Sequence, residues 1–102
     1  MKAIKELAEH ISEELDDAEE YIKLALHRKD SDTRLADCYA QLAQEELGHS
    51  ERLHAQAVRL IEAYRAAGNT PPAAMQAVWD WEHKKAVDHK AKVKSMIDMY
   101  KS

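Results

Sequence analysis

Residues 44–53 read QEELGHSERL, and they set Glu46 and His49 three positions apart on one face of a long helix. The rest of that face is apolar: Leu35, Tyr39, Leu42, Leu53, Leu60 and Tyr64. Those positions advance by threes and fours or by their sums, the period of a seam that packs against a neighbouring helix. A carboxylate and an imidazole therefore stand where leucines are expected. Burying a charged carboxylate is costly unless it is paired or holds a metal. Glu-x-x-His on the inner face of a helical bundle is a recurring way to build a carboxylate-rich metal site.

The first helix carries the same interruption. Leu7, Ile11, Glu14, Ala18, Tyr21 and Ala25 are spaced by four, three, four, three and four, and Glu14 sits in the middle. If the two helices form an antiparallel hairpin, Glu14, Glu46 and His49 fall at one level and converge. A metal-free alternative is a buried Glu46–His49 pair, with Glu14 a solvated member of the acidic run EELDDAEE.

The surrounding chain favours helices throughout. It has 102 residues with two Gly, two Pro and no Phe, which suits one all-α domain covering residues 1–102. The spacing predicts helices over about 3–28, 33–67 and 71–100. The core face of the first is Ile4, Leu7, Ala8, Ile11, Leu15, Ala18, Ile22, Ala25 and Leu26. KDSD at 29–32 is a tight turn, with Ser31 or Asp32 capping the second helix, and a turn that short makes the helices antiparallel neighbours. Gly68 is a C-terminal stop, and Thr70 caps a third helix with Pro71 at its first position. The third helix is expected to turn Met75, Val78, Trp79, Glu82, Ala86, Val93, Met96, Ile97 and Tyr100 inward.

Several functions are disfavoured. The basic residues of KKAVDHKAKVK are broken by acids and lie on a solvated face, and the net charge is −4, so no nucleic-acid patch is expected. No apolar run approaches the ~20 residues of a membrane span, and the charged start, MKAIKELAEH, is not a secretory signal. A cytoplasmic protein is the default expectation. Cys38, the single cysteine, reads as a small half-buried hydrophobe. His10, His27, His54, His83 and His89 read as surface or cap residues, and Glu82 as the partner of Lys85 or a lysine across an interface, with a further metal ligand or a hydrogen-bond acceptor for His49 as the alternative.

A dinuclear carboxylate site takes one Glu from each of two helices and a Glu-x-x-His from each of two others. This chain supplies one of each, which is half a site. A two-fold axis would complete it with four carboxylates and two imidazoles, and would pair two hairpins into a four-helix bundle. A chain this short also gains core by pairing, so a homodimer or higher homo-oligomer is expected. Oxygen donors balanced by imidazole suit iron or manganese, and accommodate zinc.

EELDDAEEY (13–21) followed by EELGH (45–49) resembles the ferritin-like superfamily, which includes ferritins, bacterioferritins and rubrerythrins. There the first helix carries a ligand Glu seven residues before a Tyr, and the second carries Glu-x-x-His. The matching positions are Glu14 with Tyr21, and Glu46 with His49. The half-length arrangement is most similar to encapsulated ferritins, whose chains each supply half a ferroxidase centre and dimerise. The resemblance covers roughly residues 10–60. It implies a ferritin-like bundle and a di-iron centre that oxidises Fe(II), with Glu14 a terminal ligand, Glu46 a bridge and His49 a nitrogen ligand. Tyr21 and Tyr39 would support the ligands from behind. The chain departs from the pattern in having no second Glu-x-x-His in its third helix, no cysteine pairs for a rubredoxin-type iron, and a C-terminus, MIDMYKS, unlike an encapsulation tail. Two other functions remain open: a non-catalytic helical interaction module, and a metal-binding regulator or chaperone without redox turnover.

Overall fold

In the computed structural model, which describes residues 2–102, the chain is three helices: α1 (Lys2–Arg28), α2 (Thr33–Ala66) and α3 (Ala73–Lys101). α1 and α2 form a long antiparallel hairpin, and α3 lies along it, giving a rod of 56 × 19 × 18 Å. Among the described residues no helix is long and apolar enough to cross a membrane.

Local signals set the boundaries. The Asp32 carboxylate accepts the Leu35 N–H at 3.1 Å, capping an otherwise unpaired donor at the start of α2. Gly68, at φ +87°, ends the second helical segment in the left-handed conformation that glycine adopts without steric cost. The third helix starts two residues later than the sequence suggests. Pro71 precedes Pro72, whose ring disfavours the α conformation in the residue before it. Pro72 itself is extended (φ −54°, ψ 142°), and the helix begins at Ala73 with no side-chain cap from Thr70.

The core is narrow and its composition is uneven. α1 contributes Ile11, Leu15, Ala18, Ile22 and Ala25; α2 contributes Ala40, Ala43 and Leu47; α3 adds only Val93 and Ile97. The buried face of α2 is thus a small-residue stripe, Ala36, Ala40, Ala43, Leu47, Ser50 and Ala57. It lies beside the expected leucine seam. Tyr39, Leu42, Leu53, Leu60 and Tyr64 are half-buried, and Leu35 is exposed. The physical reason is steric: small side chains let the α1 and α2 backbones approach, and the larger α1 side chains fill the space. Ser50 is satisfied within its own helix, donating to the Leu47 carbonyl at 2.6 Å. Val78 also departs from expectation and faces solvent, and Cys38 is exposed rather than half-buried.

Polar clasps hold α3. Glu19 of α1 receives Lys23 at 2.7 Å, His89 at 3.0 Å and Lys92 at 3.1 Å. Glu51 of α2 receives Lys90 at 2.9 Å. At the far end Lys29 donates to the Tyr100 and Ser102 carbonyls at 2.6 and 3.0 Å, a cation at the negative end of α3. The Tyr100 hydroxyl donates to Asp37, which pushes the phenol up to about 12.

Two predictions follow from this packing. Leu15, 1% exposed, is among the largest fully buried side chains, so Leu15→Ala should lower unfolding free energy by roughly 2–5 kcal/mol in denaturant melts. Lys23 and Lys92 hold the Glu19 carboxyl at about 2, below its ordinary 4.5, against the opposing effect of burial. A depressed carboxyl stabilises the fold above its unfolded value, and that stabilisation decays as pH falls through the folded one. The gap in melting temperature between the native chain and Glu19→Gln should therefore be full above pH 4.5 and close as pH falls towards 2; a gap that is constant with pH would contradict the clasp.

Candidate metal centre

The register of the hairpin places Glu14 opposite the Glu46–His49 turn. His49 Nδ1 lies 3.4 Å from Glu14 Oε2 and 3.8 Å from Glu46 Oε2. One donor atom from each of the three residues can be chosen so that all lie within 4.8 Å of one another. The sequence-derived set is thus brought together. The cluster is less buried than an interrupted core seam implies. The Glu14 and Glu46 side chains are 27% and 21% exposed, and that of His49 is 51% exposed.

Its surroundings explain the exposure. A depression of about 360 Å³ is lined by Glu14, His49, Arg52, Leu53 and Gln56, and no α3 residue lines it. Around the cluster run the half-buried Leu7, Tyr21, Tyr39, Leu42 and Leu53. Tyr21 and Tyr39 stack with ring centroids 6.2 Å apart, packed against the core. The apolar seam that carries the ligand-type residues is therefore an open face of the hairpin.

One atom in this cluster is anomalous. Glu14 Oε2 is buried and accepts no hydrogen bond from the described residues; His49 Nδ1 is within ion-pairing distance but misaligned for a hydrogen bond. A buried acceptor without a donor carries a desolvation penalty. A cation coordinated between the carboxylates and the imidazole would remove that penalty and the repulsion between Glu14 and Glu46. The donor set of two carboxylates and one imidazole fits iron or manganese, and also zinc.

The remaining candidates fall elsewhere. Glu82 pairs with Lys85 at 3.3 Å, as its spacing suggests, and is not in the cluster. His10 and His27 are exposed. His54, His83 and His89 are half-buried between helices, which their isolated positions in the sequence did not reveal. His89 belongs to the Glu19 clasp, and His54 and His83 contact each other. No protein-family model, curated protein or solved structure matches the chain.

The orphaned oxygen makes a specific prediction. Adding Fe(II) or Mn(II) should raise the melting temperature, because cation binding to the folded state stabilises it. Glu14→Ala should abolish that rise without lowering the melting temperature of the metal-free protein, since it deletes an unsatisfied group. If Glu14→Ala instead destabilises the metal-free chain and leaves the metal response intact, Glu14 is a structural partner of His49.

Proposed function

We propose that this protein is a ferritin-like, iron-binding protein that dimerises to complete a di-iron carboxylate centre and oxidises Fe(II) there. The observation that carries the reading is the convergence of Glu14, Glu46 and His49, with the buried Glu14 Oε2 lacking any donor, on a hairpin face that α3 leaves open. The likeness of EELDDAEEY and EELGH to ferritin-like helices supports the choice of iron.

A second copy related by a two-fold axis brings a second Glu14, Glu46 and His49 to the same place. The half-buried Leu7, Leu42, Leu53 and Leu60 then pack against their counterparts, completing a four-helix core with the two α3 helices outside. Glu46 would serve both ions, Glu14 would hold one, and His49 would supply the single nitrogen donor to each. Iron enters as Fe(II), the substrate. Two Fe(II) give up one electron each, and dioxygen takes both with two protons and leaves as hydrogen peroxide; with peroxide as oxidant the products are water. The protein holds the ions at fixed separation, while the surrounding leucines and tyrosines restrict water.

The test combines three measurements on the full chain. Sedimentation with Fe(II) under anaerobic conditions should show a dimer or larger, with two iron ions per dimer. Admitting oxygen should consume it in proportion to iron. Glu46→Ala should impair iron binding more than Glu14→Ala, because the bridge serves both ions, with His49→Ala between them. A monomer with iron present overturns the shared centre. Iron binding without oxygen uptake overturns the oxidation and leaves a metal-binding regulator.

A further inference from the structure

On the other side of the hairpin, α2 and α3 each turn one histidine into the seam between them. His54 Nε2 lies 3.2 Å from His83 Nδ1, and the ring centroids are 5.0 Å apart. Trp79, one turn before His83, lies beside both rings, with centroids 6.4 Å from His54 and 5.8 Å from His83. Both imidazoles are half-buried and line a largely apolar pocket of about 80 Å³, to which Ser50, Glu51 and Lys90 add polar groups.

The two distances bear on how the rings can be joined. A straight N–H···N hydrogen bond at this nitrogen separation would put the ring centroids about 5.5 Å apart. A single ion bonded to both nitrogens at about 2.0–2.1 Å with a tetrahedral angle would put the nitrogens about 3.3 Å and the centroids about 5.2 Å apart. The observed pair, at 3.2 and 5.0 Å, suits a bent hydrogen bond and the ion-bridged arrangement alike. With the His54 proton on Nδ1 and the His83 proton on Nε2, the two facing nitrogens both present lone pairs.

We propose that His54 and His83 form a second metal site, a two-imidazole clasp for a late first-row divalent cation such as zinc, copper(II) or nickel, which pins α3 to α2. Water in the adjoining pocket completes the coordination. Burial, and then the nearby His83 and Lys90, lower the basicity of His54, which favours the neutral imidazole that can ligate. Glu51, on the pocket wall, is paired with Lys90 and offsets its charge. The donors are two imidazoles with no carboxylate among them, so the site prefers later metals than the oxygen-rich Glu14–Glu46–His49 cluster does. The consequence is structural: α3 has its only buried side chains, Val93 and Ile97, in its C-terminal half, and the clasp holds the N-terminal half.

The chain's two tryptophans allow a local readout. In a Trp81→Phe chain, Trp79 is the sole tryptophan, and nickel(II) bound beside it should quench its emission with a stoichiometry of one ion per chain. Excess zinc should restore the emission by displacing nickel. His54→Gln and His83→Gln should each abolish the quench while far-ultraviolet circular dichroism stays unchanged, and His49→Ala should leave it in place. Quenching that survives both glutamine variants, disappears with His49→Ala, or never saturates overturns the site. Should His83→Gln lose helix, the zinc-dependent rise in melting temperature of the His49→Ala chain decides: the clasp requires that rise and its loss on adding His54→Gln, and no rise overturns it.

Discussion

The close approach of α1 and α2 over an alanine stripe governs the rest of this molecule. Ala36, Ala40, Ala43 and Ala57 are all at most 5% exposed, and Ile11, Leu15 and Ile22 from α1 fill the narrow core. Because the stripe is where the two helices touch, the leucines and tyrosines beside it are displaced to the edge of the contact. Glu14, Glu46 and His49 are displaced with them. The same packing that fixes their register leaves them half open to solvent, so the cluster is assembled by the hairpin without being enclosed by it.

This arrangement also explains what could be read from the sequence. The helices, the Asp32 cap, the Gly68 stop and the convergence of Glu14 with Glu46 and His49 follow from spacing and local chemistry. The buried face of α2 lies one residue beyond the leucine seam. Large apolar side chains dominate the periodicity, whereas the buried positions are mostly alanines. Leu42 and Ala43 are neighbours in the chain, and only the alanine is fully buried. The start of α3 needed the constraint that Pro72 places on Pro71. The His54–His83 pair was invisible because the two residues are 29 positions apart on different helices, and their meeting depends on how α3 crosses α2.

The two histidine-containing clusters differ in ways that bear on their chemistry. Glu14, Glu46 and His49 lie on an open face of the hairpin and carry two carboxylates, a ligand type able to bridge ions and change binding mode. His54 and His83 lie within the chain, between helices, and offer imidazole nitrogen alone. On the side of α3, lysines from that helix neutralise Glu19 and Glu51. Among the described residues, Glu14 and Glu46 face no such lysine and have only His49 within ion-pairing reach. The acidic charge of the hairpin is thus compensated where α3 packs and left uncompensated at the open cluster.

That asymmetry bears on why the open face is polar at its centre at all. A face whose role was solely to bind another helix would be better served by leucine at position 14, since an unsatisfied buried carboxylate oxygen opposes association as well as folding. Pairing two copies without a cation would bring four carboxylates together and add their repulsion to that penalty. A divalent cation reverses the sign of both effects. It supplies the missing partner of Glu14 Oε2 and turns the repelling carboxylates into ligands, so association and metal binding become linked equilibria. The leucines flanking the cluster then contribute to pairing only when the charge at the centre has been neutralised. In the proposed dimer, the cluster would make association depend on metal, and the apolar rim would give it strength.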